Sequence, residues 1–104
     1  MERIVIVGYR PIPGKESELE NLMRTHWQAL DKEGLVSDRK PITVKTKDGT
    51  LIEIFGWKSK ESIESAHTNK AVQALWGEYA KVCEYVPVGE VEECKNIFSE
   101  FTPL

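Results

Sequence analysis

Apolar positions change their spacing along the chain, and each change marks an element. Arg3-Ile4-Val5-Ile6-Val7-Gly8-Tyr9 is β-branched and almost continuously apolar, which predicts a strand buried on both faces. Pro11, Pro13 and Gly14 end it in a turn. The period then becomes helical: Leu19, Leu22, Met23, His26 and Leu30 share one stripe, with Trp27 beside it. Ser17 and Glu20 have capping-box spacing, acidic residues crowd the first turn, and Gly34 is the expected stop.

Over 41–58 the period falls to two. Ile42, Val44 and Thr46 alternate with polar residues, and Asp48-Gly49 is a favoured pair for a two-residue hairpin turn. The return strand, Leu51 to Trp57, carries Leu51, Glu53, Phe55 and Trp57 on one face and Ile52, Ile54 and Gly56 on the other. Alternation alone does not choose which face turns inward. Ser59 caps a second helical stretch in which Ile63, Ala66 and His67 share a face. Asn69 breaks that stretch and recaps a helix over about 70–82, with Val72, Leu75, Trp76, Tyr79 and Cys83 as its stripe. Pro87 stops helical structure, so Glu84 to Val88 reads as a short edge strand, and 90–96 as a helical turn. The apolar tail, Phe98 to Leu104, frays unless it docks.

The order is β-α-β-β-α-β, an α+β fold of ferredoxin-like type in a single domain, 1–104. Its helices cover one face of the sheet. The other face is apolar and bare, which calls for a partner, and two copies packed sheet to sheet cover it symmetrically.

Composition narrows the partners. A formal charge of −3 gives no attraction to nucleic acid, and the basic cluster Arg39, Lys40, Lys45, Lys47 is interrupted by Asp38 and followed by Asp48. The run Ile4 to Val7 is too short for a signal-peptide core or a membrane span. Cys83 and Cys94 form neither a CxxC nor a zinc pattern. The expectation is a cytoplasmic protein with free thiols. The sequence carries no nucleotide loop, metal motif or nucleophile elbow, and no cofactor is expected.

Several stretches carry a family resemblance. They are the opening strand followed by Pro13-Gly14-Lys15-Glu16, Gly34-Leu35, and Ile54-Phe55-Gly56-Trp57-Lys58-Ser59 leading into Ser62-Ile63-Glu64-Ser65-Ala66-His67. In order and spacing they resemble the antibiotic-biosynthesis-monooxygenase superfamily of dimeric α/β barrels. Asp38-Arg39, Val72 with Trp76, and the ending Phe98 to Leu104 are similar to a bacterial branch without assigned activity. The resemblance implies a homodimer and a ligand held between helices and sheet. It implies cofactor-independent oxygenation of aromatic molecules, haem degradation, isomerisation or no catalysis, because the fold alone fixes no chemistry. The haem-degrading members use an Asn, Trp, His set, whereas the first strand here offers Gly8 and Tyr9 and no Asn.

Four residues are candidates for catalysis. His26, inside an apolar stripe, either exchanges protons with a ligand or is a buried histidine with a structural partner. His67 either faces the same cleft or complements a helix C-terminus. Glu53 is an acid or base if its face looks into the cleft, and a partner of Arg39 or a lysine if it looks to the dimer interface. Tyr9 offers a phenol to a substrate oxygen or sits at the rim. Trp27, Phe55, Trp57, Trp76 and Tyr79 supply enough aromatic surface to line a pocket for a flat apolar molecule, or else simply pack the core. Arg39 binds a carboxylate or pairs with Asp38. A metal site would need His26, His67 and Glu53 to converge, and none is expected.

Overall fold

The N-terminal apolar run becomes the strand β1 (Arg3–Pro11) of the computed structural model, which describes residues 1–104. The strand runs on to Pro11, which pairs with the edge strand opposite Cys83. The turn falls on Pro13-Gly14, where Gly14 takes a positive φ of 87° and the Lys15 amide donates to the Ile12 carbonyl at 2.8 Å. Helix α1 (Glu16–Lys32) starts before Ser17, so the expected capping box does not form. Instead the Glu16 carboxylate folds back to accept from the Gly14 amide at 2.9 Å. Leu19, Met23, His26 and Leu30 are the buried stripe of α1, and Gly34, with φ of 73°, stops it.

Strands β2 (Ile42–Lys45) and β3 (Leu51–Trp57) form the hairpin. Its loop is longer than the expected two residues. Thr46 and Thr50 still face each other through a 2.9 Å backbone bond, and Gly49 turns the chain with φ of 90°. A left-handed residue at the end of a three-residue loop returns the strands to register. Thr46 and Asp48 side chains satisfy the Thr50 amide, at 3.0 and 3.1 Å. Ser59 then caps α2 (Lys60–Ala66), accepting from the Ser62 amide. Asn69 caps α3 (Lys70–Val82), accepting from the Val72 amide. Strand β4 (Cys83–Val86) follows without a loop. Two single-turn 3-10 helices, Val88–Glu90 and Glu92–Lys95, lead to β5 (Thr102–Pro103).

The sheet has the order β4-β1-β3-β2-β5 and every neighbouring pair is antiparallel. Its first four strands have ferredoxin-like order; β5 is an addition that docks the tail on β2, with the Leu104 amide donating to the Thr43 carbonyl at 3.0 Å. Residues directly opposite each other share a face. Val5 pairs with Phe55, Val7 with Glu53 and Tyr9 with Leu51, and this set lies under the helices. One apolar cluster gathers Tyr9, Leu19, Met23, Leu51, Tyr79, Val82 and Cys83. A second gathers Leu30, Leu35, Val36, Phe55, Trp57, Ala66 and Val72.

The other face differs from the expectation that β1 is buried on both sides. Ile52 and Val86 are buried, as is Val91 between the 3-10 turns. Ile4, Ile6 and Ile42, however, are 50%, 50% and 57% exposed.

Candidate functional site

The two apolar clusters leave a polar seam between them. His26, one turn from both Met23 and Leu30, projects from α1 toward the sheet. Glu53 projects from the centre of β3 on the face that meets the helices. His26 Nδ1 lies 2.8 Å from Glu53 Oε1, with side chains only 4% and 1% exposed. The same carboxylate oxygen accepts the Tyr9 hydroxyl at 3.1 Å. An ionised carboxylate only accepts, so beside it Nδ1 carries the ring proton. Nε2 then keeps its lone pair and has no partner within the protein. Aromatic rings fix the imidazole: Tyr79 lies edge-on with centroids 5.1 Å apart, Phe55 at 5.7 Å and Tyr9 at 6.3 Å.

His26 opens onto a hollow of about 350 Å³ between helices and sheet, lined also by Val5, Val7, Tyr9, Phe55, Trp57, Trp76 and Tyr85. Burial, followed by the Glu53 charge, raises the Tyr9 phenol far above its ordinary range. Tyr9 is therefore a fixed donor to Glu53, and its hydroxyl is not free for a substrate oxygen. The Tyr85 phenol, also raised by burial, has no protein partner. Its ring is 55% exposed and leans on Tyr9 at 5.5 Å, so it stands at the mouth. Cys83 is held apart from this chemistry: its thiol donates to the Tyr79 carbonyl at 3.3 Å, and burial pushes it up to about 11.

Solved structures share this fold. The chain is similar to Rv0793 from Mycobacterium tuberculosis, with a TM-score of 0.66 at 15% identity, over 83% of this chain and 89% of that one. It is similar as well to NE2512, a protein of unknown function from Nitrosomonas europaea, with a TM-score of 0.59 at 15% identity over 80% and 84% of the two chains. At that identity the likeness establishes the α+β architecture and says nothing of the chemistry. No family model and no curated protein matches the chain. No helix is long and apolar enough to cross a membrane.

The structure sorts the sequence candidates sharply. Tyr9, His26, Glu53, Phe55, Trp57 and Trp76 come together. Tyr79 stands behind His26 as packing, fully buried, its hydroxyl 3.4 Å from Met23 Sδ. His67 does not enter the hollow. It caps α2, is exposed, and its Nδ1 lies 2.9 Å from the Ile63 carbonyl. Its ring stacks edge-on against Trp76 at 5.5 Å, so it supports a wall from outside. No three potential metal ligands cluster anywhere. Trp27 packs against the second apolar cluster and not on the hollow; its buried indole Nε1 lacks a protein partner. Arg39 neither binds in the hollow nor pairs with Asp38. Its guanidinium makes two 3.0 Å bonds to Glu2, clamping the chain start over Gly56. Glu53 accordingly has no Arg or Lys partner.

Val5, Val7 and Tyr85 line the hollow as well and were not among the residues singled out from the sequence. For the two valines the signal was present, since they alternate with Tyr9 on one strand face. Tyr85 sits on a strand too short to reveal its inward face, and only its pairing opposite Tyr9 places it.

Proposed function

We propose that the chain is an enzyme of the antibiotic-biosynthesis-monooxygenase type, working as a homodimer, that removes a proton from a small aromatic or enolisable molecule in this hollow. The observation that carries the reading is the buried His26–Glu53 contact of 2.8 Å at the wall of an open apolar hollow. Glu53 holds the imidazole by Nδ1, which turns Nε2 toward the ligand as general base. Tyr9, through its bond to the same carboxylate, keeps Glu53 in place. Phe55, Trp57 and Trp76 supply flat apolar surface that positions an aromatic ring and excludes water. In the oxygenase form of this chemistry the deprotonated molecule itself supplies electrons to dioxygen. The protein then contributes a base, an enclosure and oriented hydrogen bonds, and no cofactor is required. The half-exposed isoleucines of the other sheet face support the pairing of two copies.

The alternative, a dimer that holds a metabolite without transforming it, is separated by one experiment. Proton exchange at the activated methylene of β-tetralone in D2O is followed by NMR. The protein is expected to accelerate exchange, and His26→Ala to reduce that acceleration by about 10²–10⁴-fold. Exchange unchanged in His26→Ala refutes the role given to the imidazole. Binding of the probe without exchange favours the non-catalytic reading.

A further inference from the structure

Proton removal creates a charge that His26 does not hold. When Nε2 takes a proton from the carbon beside a carbonyl, the C–H electron pair becomes the C=C bond of an enolate and the negative charge settles on the carbonyl oxygen. An oxygen taken out of water needs a hydrogen-bond donor, and needs it more as its charge grows. Five of the eight residues lining the hollow carry a polar side-chain atom: Tyr9, His26, Trp57, Trp76 and Tyr85. Two of them are committed to Glu53, the Tyr9 hydroxyl at 3.1 Å and His26 Nδ1 at 2.8 Å. His26 Nε2, the base, has no proton to donate. Tyr85, 55% exposed, differs from both, since its hydroxyl makes no bond within the protein. Burial of the inner part of its ring raises the phenol, so it keeps its proton at neutral pH. The pairing of β4 with β1 sets Tyr85 directly opposite Tyr9, with ring centroids 5.5 Å apart. The Tyr9 ring lies 6.3 Å from the imidazole. A flat molecule laid along Tyr9 therefore meets the base on the inner side and Tyr85 at the mouth. The indole N–H groups of Trp57 and Trp76 are donors as well, but each has a direction fixed by its ring, whereas a phenol O–H rotates to meet an oxygen and strengthens as that oxygen becomes charged.

From this we infer that Tyr85 is a second catalytic residue of the site: its hydroxyl donates to the carbonyl oxygen of the molecule whose proton His26 takes, and stabilises the charge that develops there. The inference rests on the reading above, that the hollow holds an enolisable molecule and His26 is its base. Tyr85 keeps its own proton throughout and shares it with the enolate oxygen, while the proton removed from carbon resides on Nε2. Because the bond is stronger to the enolate than to the ketone, Tyr85 contributes more to turnover than to binding.

The test uses Tyr85→Phe, which keeps the ring against Tyr9 and removes only the hydroxyl. The probes are β-tetralone and tetralin, the same skeleton without the carbonyl, titrated at pH 7 and followed by tryptophan fluorescence. Tyr85→Phe is expected to weaken β-tetralone by about three- to tenfold, the worth of one hydrogen bond, and to leave tetralin within about twofold. In the D2O exchange assay kcat is expected to fall by about 10–10²-fold with a smaller change in KM, less than for a donor wholly shut off from water because solvent reaches the mouth. Equal weakening of both probes would make Tyr85 an apolar wall and overturn the inference. So would unchanged binding and exchange in Tyr85→Phe, a loss confined to Trp57→Phe or Trp76→Phe, or the binding of neither probe by the wild type. The two readings fail separately. Selective weakening of β-tetralone in a protein that exchanges no proton sinks the base and leaves Tyr85 as the donor to the carbonyl; exchange that depends on His26 and is untouched by Tyr85→Phe does the reverse.

Discussion

Replacing His26 by leucine removes one partner from a contact that is almost wholly out of water, 4% and 1% exposed on its two sides. Leucine fills much of the imidazole volume, so cavity formation contributes little. What remains is Glu53 facing apolar surface with one hydrogen bond left, from Tyr9. Breaking a buried pair in this way costs about 3–5 kcal/mol. That is a large part of the ~5–15 kcal/mol that holds a domain of this kind together. Glu53→Leu alone strands two donors instead, His26 Nδ1 and the Tyr9 hydroxyl, at about 1–3 kcal/mol each. The double variant places leucine against leucine, which relieves the stranded charge and leaves only Tyr9 unsatisfied. Adding Tyr9→Phe removes that last donor. The stabilities should therefore be strongly non-additive. The double variant is expected to be more stable than the sum of the singles allows by about 4 kcal/mol or more, and the triple variant to recover a further ~1–3 kcal/mol. Urea unfolding of the five proteins measures this, with the midpoint moving by about 1–5 M for the His26 single variant at an m-value of ordinary size. Additivity within about 0.5 kcal/mol would refute the claim that these three side chains form one buried network.

Three further outcomes follow from other parts of the fold. A Cβ on Gly8 would stand 2.5 Å from the Val86 carbonyl oxygen, which is backbone and cannot yield. Gly8→Ala is expected to lose about 1–3 kcal/mol by forcing β4 off the sheet edge, while Gly56→Ala, which meets side-chain ends, the Glu2 carboxylate and the Ser37 hydroxyl, should lose less in the same unfolding assay because it displaces the clamp and not the backbone. The Arg39 guanidinium, then the Ser37 hydroxyl, lower the Glu2 carboxyl from 4.5 to about 2; the stabilisation linked to it is present above pH 4.5 and lost as pH falls toward 2. Arg39→Ala should move the Glu2 midpoint, read by NMR, back toward 4.5, and an unmoved midpoint would refute the clamp. Sedimentation at micromolar concentration should give twice the monomer mass, and Ile6→Lys, on the half-exposed sheet face, should shift it to monomer; a wild-type monomer would refute pairing through that face.

Local patterning alone determined the element order. The stripe from Leu19 to Leu30, the Ser59 and Asn69 caps and the glycines at 34 and 49 each act within a few residues, through backbone geometry or a single side-chain bond. For that reason they could be read from neighbours in the sequence. The capping box at Ser17 failed because a competing bond, Glu16 to Gly14, is equally local and was not distinguishable by spacing. The site was legible only as a set of suspects. Glu53 could face either way, since both faces of β3 are apolar, and the choice was made by which face α1 covers. His26 lies inside an apolar stripe and His67 near a helix end, but the sequence allows either to face the cleft. The long α1 lies across the sheet and buries its histidine, whereas α2 ends at Ala66, leaving His67 outside. Tyr85 and the Glu2–Arg39 pair depend on strands far apart in sequence coming into register. Contacts of that kind are set by the packing of whole elements, which the period of hydrophobic residues does not encode.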